Sequence, residues 1–260
     1  MPIQADPAAI VARLSRAGFI AADEEARELV ARAAGDGELL DSLVARRLTG
    51  EPLDWIIGKV AFCGVEIRVD PGVYVPRWQS EPLARRAVEC LPATGIAIDL
   101  CTGSGAIAKI LATNRPAARV VASDIDGLAV ACAAANGVEV YHGDLFGPLP
   151  PGLEGRVDVV VGVVPYVPTP ELPMLQRDTF AFESTLAYDG GPDGTDILKR
   201  VLRESRRFLR PGGTLLLELG GGQADGLRGE LAPLGYVHVR VLIDEDDDVR
   251  GIESRLGESG

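Results

Sequence analysis

The chain has 260 residues, 47% of them hydrophobic and 25% charged, which is enough for one large α/β domain with a small appendage and a buried core. Its net charge of −12 repels phosphate backbones and argues against broad nucleic-acid binding, and no apolar run nears the roughly 20 residues that cross a bilayer. Cys63, Cys90, Cys101 and Cys132 form no CxxC pair and only His142 and His238 could join them, so no metal site is expected and the cysteines suit a reducing cytoplasm.

Met1 to Asp6 has neither a basic stretch nor an apolar core, so no secretory signal is read there. Residues 7 to 48 predict helices: Ile10, Val11 and Leu14, then Ala26, Leu29, Val30 and Ala33, fall at helical spacing. Asp23 is the expected N-cap before Glu24-Glu25, and Gly35-Asp36-Gly37 breaks the pattern before Leu39 to Leu48 resumes it. The arginines here (Arg13, Arg16, Arg27, Arg32, Arg46, Arg47) read as a solvated face. At Val65, Ile67 and Val69 the period becomes two, which predicts a strand with a hairpin partner at Val60 to Phe62. Pro71-Gly72 marks a turn, and a linker is placed through Pro76-Arg77.

After Glu81 helices and strands alternate. Helices are expected at 82–90, 106–113, 127–136, 196–208 and 223–231; strands at 96–100, 120–123, 139–141, 157–161, 214–219, 236–242 and 251–255. The alternation implies a mostly parallel sheet covered on both faces. The acidic run Asp244 to Asp248 reads as a solvated loop, and His142 as a loop residue.

Asp99-Leu100-Cys101-Thr102-Gly103-Ser104-Gly105 follows a strand and opens a helix. Such a loop lies where open α/β sheets bind ligands, and the helix N-terminus offers free N–H groups to a carboxylate. Two cofactors compete for it. Gly103-Ser104-Gly105-Ala106-Ile107-Ala108 satisfies G-x-G-x-x-A, with Asp124 about 20 residues on, as a dinucleotide fingerprint wants. S-adenosylmethionine (SAM) is favoured by Asp99, which can accept from an amino group, and by Asp144-Leu145-Phe146, where an acceptor could hold an adenine amino group. A plain helix N-cap is the competing reading of Asp124.

With these residues the chain resembles the HemK/PrmC protein-(glutamine-N5) methyltransferases, which methylate the glutamine of the Gly-Gly-Gln motif of peptide-chain release factors. The resemblance runs from about Pro52 to the C-terminus. It rests on Pro52-x-x-Trp55-x-x-Gly58-x-x-x-Phe62-x-Gly64, Val69-x-Pro71-x-Val73-x-x-Pro76-Arg77-x-x-x-Glu81, the loop Asp99 to Gly105, Glu183-x-x-Leu186, Asp189-Gly190-Gly191-x-Asp193-Gly194, Pro211-Gly212-Gly213 and Glu218. It implies a Rossmann-like class I SAM methyltransferase sheet over residues 81–260. A helical substrate-recognition domain is implied over residues 1–57, with a β-hairpin and linker over 58–80. The implied SAM contacts are Asp99, Cys101 (where a glycine is commoner), Thr102, Gly103, Gly105, Asp124 and Ile125 for the ribose, and Asp144 and Leu145 for the adenine. The implied partner is a release factor or another protein substrate.

One motif departs. The family's Asn-Pro-Pro-Tyr reads Val163-Val164-Pro165-Tyr166 here. An amide nitrogen is a poor nucleophile, so it must be held in line with the sulfonium methyl and given acceptors where positive charge develops. Val164 keeps a backbone carbonyl, but Val163 has no side-chain acceptor, and losing one such group costs on the order of 3 kcal/mol. Three outcomes stay open: a protein glutamine methyltransferase with reduced or altered activity, a small-molecule methyltransferase, and a non-catalytic SAM-binding paralogue. Gly221-Gly222-Gln223 spells the substrate motif within the chain, and reads as a strand-to-helix turn.

Overall fold

In a computed structural model, residues 7–175, 182–244 and 246–258 are described; Met1 to Asp6 and Glu245 in the acidic run lie outside them. Helices α1 (Pro7–Arg16), α2 (Ala22–Ala33), α3 (Gly37–Leu48) and the short α4 (Leu53–Ile57) open the chain. Ile10, Leu14, Ala26, Leu29, Leu43, Val44 and Ile56 bury their side chains in a cluster of their own. The expected N-cap at Asp23 is not one. Helix α2 starts at Ala22 behind Ala21, which makes no side-chain cap, so Asp23 serves the helix dipole from within the first turn. A capping side chain is found at the predicted break instead, where Asp36 accepts from the Leu39 N–H at 3.0 Å.

β1 (Lys59–Phe62) and β2 (Val65–Arg68) pair as the expected antiparallel hairpin. Phe62 and Ile67 are fully buried against the larger sheet's core, each contributing about 2 kcal/mol by burial. The rest of the chain alternates: α5 (Glu81–Cys90), β3 (Ile96–Leu100), α6 (Ala106–Asn114), β4 (Arg119–Asp124), α7 (Gly127–Ala135), β5 (Glu139–His142), β6 (Val157–Gly162), α8 (Asp196–Phe208), β7 (Leu209–Glu218), α9 (Gln223–Leu231), β8 (Tyr236–Ile243) and β9 (Val249–Leu256). His142 closes β5 rather than lying in a loop. The seven-stranded sheet runs β5-β4-β3-β6-β7-β9-β8. β3 to β7 are parallel, and β9 pairs antiparallel with both β7 and β8.

The two-residue strand period sorts apolar side chains onto two faces. Ile98, Leu100, Val160, Leu215 and Leu217 pack with α8 and α9. Ala97, Val159, Val161 and Leu216 pack with α5, α6 and the hairpin. That is why β6 is a pure valine run with a polar break only at Asp158, whose carboxylate accepts from the Ile96 N–H and pairs with Arg210. β7 begins five residues before the expected Thr214, because the Pro211-Gly212-Gly213 turn is drawn into the strand. Among the described residues no helix is long and apolar enough to cross a membrane.

Candidate active site

The sheet order turns at β3: the chain leaves it toward β4 and β5 on one side and toward β6 and β7 on the other. The loops after β3 and β6 therefore part, and a crevice opens at the carboxyl ends of the strands. A cavity of about 260 Å³ occupies it. Its wall includes Asp99 of β3 and Cys101 to Ser104 after it, Asp124 at the end of β4 with Ile125 and Asp126, and Val163 to Val167 after β6. Tyr74, Arg77 and Ser80 close it from the linker, with Leu186 and Tyr188 opposite.

Asp99 joins strand to helix. Gly105, the residue before α6, has no side chain with which to cap it. Asp99 Oδ2 takes that role, accepting from the Ala108 N–H at 3.1 Å and from the Thr102 hydroxyl at 2.6 Å. Burial pushes its carboxyl up to about 7; those two donors hold it down in part, and the Asp124 charge adds to the rise. Asp124 organises the loop opposite. Its Oδ2 accepts the Gly103 N–H at 2.8 Å and its Oδ1 the Asp126 N–H at 2.9 Å. Burial raises its carboxyl, and both backbone donors oppose that. Asp124 is not the cap of α7; Asp126 is, accepting from the Leu128 N–H.

Cys101 adopts φ +52°, a left-handed conformation that glycine takes without steric cost. A glycine, which the resemblance implies at this position, would adopt it without strain. Burial and the surrounding carboxylates raise the Cys101 thiol above its usual range, which disfavours the reactive thiolate.

The other wall carries the departed motif. Val163 is half-buried and packs on the hairpin side of the sheet, while Val164 is buried in the opposite face's core. Tyr166 donates its hydroxyl to Glu218 Oε1 at 3.0 Å. Its carbonyl accepts from Gln223 Nε2 at 2.7 Å. Glu183, fully buried, accepts from the Val75 N–H, from Arg77 Nη2 at 2.9 Å and from the Tyr188 hydroxyl, so it ties the linker to the segment that follows β6.

Ten of the sequence-predicted residues meet in this one cavity: Asp99, Cys101, Thr102, Gly103, Asp124, Ile125, Val163, Val164, Pro165 and Tyr166. Gly105, Asp144 and Leu145 are not in its wall. A Cβ on Gly105 would fall 2.8 Å from Val138 and 3.0 Å from Ala133, so that glycine serves close packing of α6 on α7. Asp144 is more than half exposed and pairs with Arg200 at 2.7 Å. Leu145 points into the core, and its carbonyl accepts from the Ser123 hydroxyl. Ser104, Tyr74 and Tyr188 went unassigned in the sequence. The first lay in the loop motif and the second in the linker motif, but no spacing marked either as facing a ligand.

No protein-family model matches the chain. The release factor glutamine methyltransferase of Geobacter sulfurreducens is 35% identical over 221 residues, 83% of this chain and 77% of that protein. That of Cereibacter sphaeroides is 33% identical over 273 residues, 95% of this chain and 96% of that one. A solved methyltransferase from Pyrococcus furiosus shares the fold at a TM-score of 0.52 and 19% identity, covering 76% of this chain and 91% of that one. A cavity at the sheet's switch point, walled by a glycine loop and a Pro-Tyr segment, thus sits in a chain that aligns with one release factor glutamine methyltransferase over nearly the whole of both: it belongs to the release factor glutamine methyltransferase family and is a SAM-dependent methyltransferase.

Proposed function

We propose that this chain methylates the side-chain amide of a protein glutamine, of the kind the relatives' name places in release factors, and does so slowly because Val163 offers no acceptor. The observation that carries the reading is the single cavity shared by the Asp99–Ser104 loop and the Val163–Tyr166 segment.

The residues present fit SAM. Ser104 Oγ is buried in the cavity wall without a hydrogen-bond partner, an orphan that a ligand would satisfy. The first turn of α6 adjoins it and favours a carboxylate. Asp124 keeps lone pairs beyond its two backbone bonds and would accept ribose hydroxyls, with the half-exposed Ile125 beside it. Asp144 is the weakest of the proposed contacts, since it lies outside the wall and is tied to Arg200. SAM supplies an electrophilic methyl group when bound. Toward the acceptor, Pro165 restrains Val164 to extended backbone, and the hydrogen bonds of Tyr166 to Glu218 and Gln223 fix the ring and carbonyl that border the acceptor's place. Val163 excludes water there but stabilises no developing charge.

The test is mass spectrometry of a Gly-Gly-Gln release factor after incubation with the protein and SAM. Slow methylation is expected, rising by on the order of 100-fold in Val163→Asn. Efficient turnover by the wild type would contradict the role given to Val163. A second reading, a small-molecule acceptor whose nucleophile needs no such group, is favoured by the apolar packing of Val163; no gain in Val163→Asn would support it.

A further inference from the structure

Two buried oxygens without hydrogen-bond partners, Gln79 Oε1 and Glu218 Oε2, belong to side chains that line the same compartment. This compartment of about 620 Å³ adjoins the cavity described above and shares Tyr74, Arg77, Tyr166 and Leu175 with it. A buried acceptor left unmatched costs on the order of 1–3 kcal/mol, and more when charged. Native chains keep few of them, and two around one cavity mark a place where donors are missing.

Glu218 ends β7 and is 5% exposed. Its other oxygen already holds the Tyr166 hydroxyl. Burial raises the Glu218 carboxyl above its usual range, and the Ser80 and Tyr166 hydroxyls oppose that rise in part, yet the Ser80 hydroxyl does not meet Oε2 in hydrogen-bond geometry. The nearby cations are engaged elsewhere: Arg77 with Glu183 at 2.9 Å, and Arg250 with Asp244 at 2.6 Å and Asp248 at 3.2 Å. The compartment therefore offers two acceptors and has no unengaged guanidinium to neutralise Glu218. A carboxylate guest would be repelled by Glu218. A cationic guest would meet the Arg77 and Arg250 guanidinium groups that line the same walls. A neutral primary amide, with two N–H hydrogens for two acceptors, avoids both penalties.

We infer that this compartment is the acceptor subsite, and that Glu218 Oε2 and Gln79 Oε1 accept the N–H hydrogens of the substrate's primary amide and hold it for recognition, while the place of Val163 stays without an acceptor. The inference rests on the glutamine reading above, and it assigns to Glu218 and Gln79 the recognition of the acceptor. It also gives the Tyr166–Glu218 hydrogen bond a purpose: it turns one carboxylate oxygen away and leaves the other for the substrate.

Binding tests this without relying on turnover. An N-acetyl-Gly-Gly-Gln-amide peptide and its Gly-Gly-Glu counterpart are titrated by NMR, which reads millimolar affinity, into protein saturated with S-adenosylhomocysteine. The wild type should bind the glutamine peptide and discriminate against the glutamate one. Glu218→Gln, nearly isosteric, and Gln79→Met should each weaken the glutamine peptide about tenfold, and SAM affinity measured by calorimetry should stay unchanged, which shows that both variants fold. If the wild type binds the peptide and neither variant weakens it, the subsite is overturned while the glutamine reading stands. If the wild type binds SAM but neither peptide, the glutamine reading and this occupant both fall.

Discussion

Asp99 carries structural and electrostatic consequences in one side chain. It caps α6 from the end of β3, and full burial holds its carboxyl at about 7, against 3.8 in the unfolded chain. Between those two values the folded protein keeps a proton that the unfolded chain has released. This carboxyl therefore favours folding most at low pH, and its contribution is lost as the pH rises from about 4 to 7. Asp99→Asn retains an acceptor for Thr102 and Ala108 but does not titrate. Thermal melts across that window should show a flatter dependence of Tm on pH in the variant than in the wild type; parallel curves would contradict the raised value. Asp99 and Asp124 were legible in the sequence because each follows an apolar strand run and precedes a helix. Asp144 was legible from the end of a helix-strand unit alone, yet its pairing with Arg200 of α8, 56 positions on in the chain, is a tertiary fact no local pattern carries. The orphaned oxygens of Ser104, Gln79 and Glu218 are equally invisible there, since an unmet hydrogen bond shows only once neighbours are packed.

Between elements, the segment leaving β6 is held by its surroundings more than by its own propensity. Tyr166 accepts from Gln223 at the start of α9, and Gln223 Nε2 also reaches the Gly194 carbonyl at 3.1 Å. The internal Gly-Gly-Gln is therefore a structural latch on the motif loop, which agrees with its reading as a strand-to-helix turn: Gly222 precedes the first residue of α9. Gly194 sits in this latch at φ +72°, where a Cβ would lie within 2.2 Å of the Tyr166 carbonyl oxygen. Gly194→Ala should destabilise the protein by on the order of 2 kcal/mol in denaturant melts. Gly221→Ala, with open space around it, should change stability by less than about 0.5 kcal/mol. Equal effects would mean the latch is not strained by the added methyl. The Asp189 to Gly194 glycines stood out in the sequence as a motif, but Gly190 and Gly194 make room for the Tyr166 backbone, more than 20 positions earlier, and Gly191 for the Asp196 side chain.

At the scale of the molecule, the sheet and its helices follow from period and length. Two-sided burial demands valine and leucine runs in β6 and β7, and amphipathic helices fill the gaps between strands. The strand order, which creates the crevice, does not follow from those runs. It comes from the handedness of parallel crossovers together with which face each helix must cover. Placing the ligand at the switch point therefore needed the glycine loop to single out β3, and placing the acceptor needed the fold itself. The claim on which the rest depends is that SAM lies against Asp124 in that crevice. Calorimetric titration with SAM tests it directly. The wild type should bind with a dissociation constant of about 1 μM, near −8 kcal/mol, and Asp124→Ala at least about tenfold more weakly. Absence of binding, or equal affinity in the two proteins, would contradict it.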